Sequence, residues 1–312
     1  MKVVYMGTPD FAVGALEAII KAGHEVCAVI TQPDKPVGRK QELVPTPVKA
    51  CAQEAGIPVY QPQKLRNNPE ILDTLKELDP EVIVVAAYGK IIPSEILQLP
   101  KYGCLNIHAS LLPKYRGAAP IQWAVIDGEE KSGVTIMQMD DGLDTGDMLA
   151  VREVVLTAEE TGGSLFDRLA EAGAELIVEI LPELGKGTLT AVPQPAESTT
   201  AYARMITKAD GRIDWSKDAA AIERLVRGLN PWPSAFTALN GKSLKIWNSC
   251  VVDTEMCSGT PGEVLQASGE EIRIATGKGV LAVTELQLEG KKRMKVSDFL
   301  RGRSVETGTI LG

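Results

Sequence analysis

At 312 residues, with 44% apolar and 24% charged side chains, the chain has the length for two domains and the usual composition of a globular protein. No run of 18 apolar residues occurs, which excludes a bilayer-spanning helix, and five scattered cysteines without a C-x-x-C spacing exclude a disulfide framework and a zinc knuckle. The net charge of −8 is uneven: residues 1–204 carry 18 Lys+Arg against 28 Asp+Glu and residues 205–312 carry 15 against 13, so clustered lysines in the second part can still hold a polyanion.

Residues 2–6 read as a first strand rather than a signal peptide, closed by Gly7-Thr8-Pro9-Asp10. A helix follows with Asp10 as N-cap and Phe11, Ala15, Leu16 and Ile19 on one face, ending at the C′ glycine Gly23. Residues 25–31 form the next strand, 32–44 a polar loop, 47–55 a helix, 58–60 a short strand and 68–78 a helix. The apolar run 82–87 suits a strand of a parallel sheet buried on both faces, and residues 102–108 repeat the pattern. Strands at 134–139 and 148–155 and a helix at 163–184 complete a doubly wound, mostly parallel α/β domain over residues 1–189, whose ligands belong at the carboxyl ends of the strands. Residues 190–206, with two prolines and Ser198-Thr199-Thr200, read as a linker. Beyond it come one helix at 218–229 and five short strands near 234–239, 243–252, 261–267, 270–276 and 279–287. Turn signals such as Asn240-Gly241 separate the strands, which suggests a small OB-like β-barrel over residues 207–312.

Only two histidines are present. His24 follows Gly23 at a helix end, where an imidazole meets free carbonyls, and is read as structural. His108 lies in Cys104-Leu105-Asn106-Ile107-His108, where strand alternation puts Leu105 and Ile107 on one face and Asn106 and His108 on the other. A carboxamide beside an imidazole at the carboxyl end of such a strand can donate to a developing oxyanion and exchange a proton. The same spacing also fits two hydrogen-bonded polar residues that merely close a strand.

The loop that follows, Ser110-Leu111-Leu112-Pro113-Lys114-Tyr115-Arg116-Gly117-Ala118-Ala119-Pro120, resembles the signature of the folate-dependent formyltransferases. Met139-Asp140-Asp141-Gly142-Leu143-Asp144-Thr145-Gly146-Asp147 is similar to the family's second motif, which supplies a catalytic aspartate, here Asp144. A calcium loop is the rival for that run, but position twelve from Asp140 is Val151 and not the bidentate Glu. Gly7-Thr8-Pro9-Asp10-Phe11, the segment from Thr31 to Lys40 with Arg39, and Asn230-Pro231-Trp232-Pro233 before a β domain resemble the branch that formylates methionyl-tRNA.

This resemblance implies a Rossmann-like formyltransferase domain and a one-carbon transferase that takes 10-formyltetrahydrofolate as co-substrate and initiator methionyl-tRNA as acceptor, with no metal. Asn106 and a protonated His108 would donate to the tetrahedral oxyanion, with Asp144 orienting His108 and helping to take the amine proton. The pterin would lie against Ser110, Leu111, Leu112 and Pro113, mostly through backbone groups. For tRNA, Lys35, Arg39 and Lys40 form one expected patch, Lys114 and Arg116 rim the site, and Lys291, Lys292, Arg293 and Lys295 form a patch in the β domain unless they are only a solvated face. Trp123 is expected in the core and Trp232 as a packing wedge between domains. A monomer in a reducing cytoplasm, away from membranes, is the expected setting.

Three rivals differ in class. A formyltransferase acting on an amino-sugar nucleotide shares much of the signature loop but typically has Arg where Ala118 stands. A nicotinamide oxidoreductase lacks its G-x-G-x-x-G after the first strand. An RNA-binding module leaves Asn106, His108 and Asp144 without a role.

Overall fold

The run Val82-Ile83-Val84-Val85-Ala86 has no polar side chain and every one of its residues is buried, so it can sit only in the middle of a sheet covered on both faces. A computed structural model, describing residues 1–37, 42–255 and 259–312, puts it there. The chain forms two compact units: residues 1–120, 131–155 and 166–203, and residues 121–130, 156–165 and 204–312.

The strands of the first unit are β1 (Lys2–Gly7), β2 (Glu25–Ile30), β3 (Lys35–Val37), β4 (Glu42–Val44), β5 (Val59–Tyr60), β6 (Val82–Ala86), β7 (Cys104–His108), β8 (Lys131–Gln138) and β9 (Met148–Val155). Its sheet runs β5-β2-β1-β6-β7-β8-β9, parallel from β5 to β7 and antiparallel for β8 and β9. The order reverses between β1 and β6, the switch point where a dinucleotide would lie. Here that point is bridged: Thr8 Oγ1 and Gln32 Nε2 both donate to the Tyr88 carbonyl, at 3.2 and 2.9 Å. Thr8 of the first strand–helix turn and Gln32 after β2 thus spend donors on the protein at this point, which adds to the missing glycines as a reason to set the nicotinamide rival aside.

Helices α1 (Val13–Lys21), α2 (Pro47–Glu54), α3 (Pro69–Leu78), α4 (Ser94–Leu97), α5 (Pro120–Asp127) and α6 (Gly162–Lys186) alternate with these strands. Their ends follow local chemistry. Thr46 and Asn68 cap α2 and α3 by accepting from Lys49 N and Ile71 N, each with proline at the first helical position. Asp10 does not cap α1; it opens a short 3-10 turn, Asp10–Ala12, that leads into the helix. The segment expected as a polar loop contains β3 and β4, paired antiparallel. Gly173 of α6 lies so close to β7 that a Cβ on it would come within 2.7 Å of Ile107 Cγ2. That contact settles the orientation of β7. Ile107 faces α6, and the register Val85↔Asn106 places Asn106 on the other side of the sheet.

In the second unit α7 (Ala219–Gly228) starts at Asp218, whose side chain accepts from Ala221 N. Strands β10 (Ala235–Leu239), β11 (Lys242–Asp253), β12 (Val264–Ser268), β13 (Glu271–Ala275), β14 (Val280–Leu288) and β15 (Met294–Lys295) form an antiparallel sheet in the order β10-β11-β14-β13-β12, with β15 on β14. Helix α8 (Val296–Gly302) closes the set. Ile222 and Val226 of α7, Leu244 and Ile246 of β11 and Leu281 and Val283 of β14 share one buried core. The last residues run between the two outer strands. Leu311 N donates to Gly262 O just before β12, at 2.9 Å, and Gly312 N donates to Ala238 O of β10, at 3.1 Å. The arrangement is consistent with a small barrel; β15, α8 and this final segment go beyond the five strands and one helix expected.

One tryptophan departs from expectation. Trp123 is only half-buried; its Nε1 donates to Arg204 O at 2.9 Å and the Arg204 guanidinium lies 5.2 Å from its ring centre. Trp232, in the second unit, is 54% exposed.

Candidate active site

The site begins where β7 ends. His108 is 6% exposed, and its Nε2 lies 3.1 Å from the Tyr115 carbonyl oxygen. A carbonyl only accepts, so Nε2 carries a hydrogen and Nδ1 is the nitrogen left for chemistry. Nδ1 faces Asp144 Oδ1 at 3.7 Å, longer than a hydrogen bond. Asn106, two residues back, is half-buried, and its carboxamide finds no hydrogen-bond partner among the described residues. Burial pushes the Cys104 thiol up to about 12, so this neighbour stays protonated and is no nucleophile.

Asp144 is held from two directions. Its Oδ2 accepts from Gly117 N at 2.9 Å and its carbonyl accepts from Gln194 Nε2 at 3.0 Å. Its backbone is left-handed, at φ +56°, a conformation aspartate tolerates better than most residues. Tyr115, whose carbonyl holds His108, is also left-handed at φ +55°; such outliers cluster where a fold fixes functional groups. The turn around Asp144 organises itself. Asp140 Oδ1 accepts from Gly142 N and from Thr145 Oγ1, so the carboxylate that opened the rival calcium loop is spent on its own turn. Gly146 has no room for a side chain, since a Cβ would come within 1.7 Å of Gln138 O.

The signature loop is anchored just as closely. Thr135 of β8, fully buried, donates its hydroxyl to Ser110 O at 2.7 Å and accepts from Leu112 N at 3.1 Å. Ser110 Oγ donates to Lys114 O at 2.7 Å. Lys114 N donates to Leu111 O at 3.0 Å, so backbone groups of the stretch expected to hold the pterin and the Ser110 hydroxyl are engaged within the protein, and Leu112 is itself buried. Thr135→Val keeps the shape and leaves the Ser110 carbonyl and the Leu112 N–H without partners. We expect a loss of about 2 to 4 kcal/mol in denaturant unfolding.

Residues 190–206, expected as a linker, lie across this loop up to Ala203. Ser198 Oγ donates to Pro113 O at 2.6 Å, Tyr115 N donates to Thr200 Oγ1 at 2.7 Å, and Ala203 O accepts from Ala118 N and Ala119 N. Arg116 needs the clearest correction. It was expected to present a cation to tRNA, but it is 8% exposed and donates to Gln194 Oε1, Pro195 O and Ala196 O. Its charge is spent inside the protein. Thr135, Gln194, Ser198 and Thr200 were missed, and no local spacing points to them, because each acts on a residue 23 to 85 positions away.

The other expected tRNA contacts are scattered. Lys35 is exposed on β3, above an anchored base in which Asp34 accepts from Lys49 Nζ at 2.5 Å and Gln61 Nε2 at 2.7 Å. Arg39 and Lys40 lie outside the described residues. Lys114 is half-buried. In the second unit Lys291, Lys292 and Lys295 are exposed, whereas Arg293 pairs with Glu285 at 2.5 Å and lies 4.7 Å from the Trp247 ring centre. Hydrogen bonding to that guanidinium holds Glu285 below the usual carboxylate range.

Comparison with known proteins bears on both units. Residues 1–181 match the formyl transferase family model, and residues 205–304 match that of the formyl transferase C-terminal domain. The chain is 55% identical over 318 residues to the methionyl-tRNA formyltransferase of Lachnospira eligens, covering 100% of each. It is 53% identical over 310 residues to that of Agathobacter rectalis, covering 99% of each. Among solved structures, the N-formyltransferase from Helicobacter canadensis with folinic acid and dTDP-3-aminofucose aligns at a TM-score of 0.68 and 20% identity, over 91% of this chain and 98% of that one. HypX from Aquifex aeolicus in complex with tetrahydrofolic acid aligns at 0.62 and 20%, over 99% of this chain and 50% of that one. At that identity the two structures speak for the fold.

Proposed function

Because this chain belongs to the formyl transferase family through both of its halves, we propose that it moves the formyl group of 10-formyltetrahydrofolate to the α-amino group of methionine on initiator tRNA. The end-to-end identity with methionyl-tRNA formyltransferases carries this conclusion, since it includes the second domain as well as the catalytic one. 10-Formyltetrahydrofolate is a co-substrate, consumed at each turnover.

The chemistry follows from which groups remain available. The amine attacks as the neutral base, and an α-amino pKa of about 8, lower in an aminoacyl ester, makes that form accessible near neutral pH. Attack on the formyl carbon produces an oxyanion. Asn106, with its carboxamide unpartnered, is the donor we assign to that oxygen. His108 has one nitrogen on the Tyr115 carbonyl, so its Nδ1, facing Asp144, is the one we assign to carrying the proton from the amine toward the departing folate nitrogen. Expulsion of tetrahydrofolate then leaves the formamide. Ser110, Leu111, Leu112 and Pro113 remain the proposed pterin contacts, with Leu143, 61% exposed beside Asp144, as added apolar surface.

The second domain and residues 35–40 are the proposed tRNA contacts, through Lys35, Arg39, Lys40, Lys114, Lys291, Lys292 and Arg293. Salt tests them. If three or four phosphates are contacted, raising monovalent salt from about 50 to 200 mM should weaken tRNA binding by about tenfold to a hundredfold. A salt-independent Michaelis constant would count against the whole set. The acceptor itself is tested by incubating the enzyme with 10-formyltetrahydrofolate and, in parallel, methionyl-tRNA, glycinamide ribonucleotide, an amino-sugar nucleotide and water. Formylation of methionyl-tRNA at a kcat/KM far above the others is expected; preference for the amino sugar would transfer the enzyme to that branch.

A further inference from the structure

Gln194 has no place in the chemistry above, yet its carboxamide is fully used. Nε2 donates to the Asp144 carbonyl at 3.0 Å and to the Gly146 carbonyl at 2.7 Å. Oε1 accepts from Arg116 Nε at 3.1 Å and Nη2 at 2.9 Å. An amide has two N–H donors and two lone pairs, and all four are occupied by partners of the right kind. Turning the amide over would aim its NH2 at a guanidinium and its oxygen at two carbonyls, so only one orientation is tolerable.

Two further N–H groups of Arg116 donate to Pro195 O and Ala196 O, at 2.8 and 3.1 Å. The next residue along, Gly117, gives its N–H to the carboxylate of Asp144. Arg116 and Gly117 thus reach Asp144 by two routes, one to its backbone through Gln194 and one to its side chain directly. With Gly146 pressed on Gln138 O and Asp144 in a left-handed conformation, the two carbonyls held by Gln194 are that of Asp144 itself and that of Gly146, two residues on.

We infer that Gln194 is a positioning residue: it fixes the backbone on both sides of Thr145 so that the Asp144 carboxylate faces His108 Nδ1. The inference rests on the role proposed for Asp144 above. It does not require Gln194 to touch either substrate.

Gln194→Glu separates positioning from mere support. It keeps the size and the acceptor for Arg116 but turns an oxygen toward the two carbonyls. Gln194→Ala removes both functions. Each is compared with wild type and with Asp144→Asn for kcat, for KM of both substrates, and for the ring signals of His108 by heteronuclear NMR. With only two histidines in the chain, His24 is an internal control. We expect both Gln194 variants to lose about tenfold to a hundredfold in kcat with KM values within about threefold, the split that marks lost transition-state geometry. The His108 signals should move as they do in Asp144→Asn, and those of His24 should stay. A Gln194→Glu enzyme with wild-type kcat, or with unmoved His108 signals, overturns the inference. Unfolding of both variants at assay temperature does so too, because it makes Gln194 a fold residue. If Asp144→Asn itself keeps full kcat, the role of Asp144 fails first, and that outcome is distinct from an active Gln194→Glu beside an inactive Asp144→Asn.

Discussion

His108→Ala should lower kcat for formyl transfer to methionyl-tRNA by about a thousandfold while leaving both KM values within a few-fold, since proton transfer by a positioned imidazole contributes about 10² to 10⁴. The substitution removes two things. One is the Nε2 hydrogen bond to Tyr115 O, whose loss should cost about 1 kcal/mol of stability. The other is the group between the amine and Asp144. Steady-state kinetics with a parallel thermal melt separates them, because a folded protein with unchanged affinity and collapsed kcat has lost chemistry alone. Retention of more than a third of the wild-type kcat would remove His108 from the mechanism.

Asn106→Ala is expected to behave differently in one informative respect. The rate should fall by about 10² to 10³, the scale for a single oxyanion donor. Stability should hardly change, because the carboxamide makes no hydrogen bond among the described residues that could be lost. A half-buried amide that spends nothing on the fold is free to be spent on a transition state. If Asn106 were one of two polar residues closing a strand, the ordering would reverse, with measurable destabilisation and near-normal kcat. The two measurements therefore decide between the readings left open by strand spacing alone.

Much of the first unit could be read from the chain because its cues are local. The apolar runs of β1 and β6 and the alternation in Cys104-Leu105-Asn106-Ile107-His108 all act within a few residues. What escaped is what acts at a distance. Arg116 looked like a surface cation because residue type gives charge and not surroundings. Four hydrogen bonds to residues 194–196 bury it, and they are formed across 78 to 80 positions of chain. The two prolines and the Ser198-Thr199-Thr200 run of 190–206 read as a linker, yet the carbonyl, hydroxyl and amide groups of this segment are the ones tying down the signature loop. Likewise the end of the chain in the second unit carries little hydrophobic pattern, and its place between β12 and β10 depends on backbone groups that any sequence possesses.

The strap formed by residues 194–203 also sets an order of events during synthesis. A chain growing from its N-terminus exposes Asn106, His108 and Asp144 outside the ribosome while Gln194, Ser198 and Thr200 are still to be made. At about 5 to 20 residues per second, roughly 60 residues of delay amount to several seconds. Through that interval Arg116 is a cation without its partners, Asp144 lacks the Gln194 donor on its carbonyl, and the Tyr115 N–H lacks Thr200. The nascent chain thus carries the side chains proposed for the reaction before it carries the segment proposed to align them.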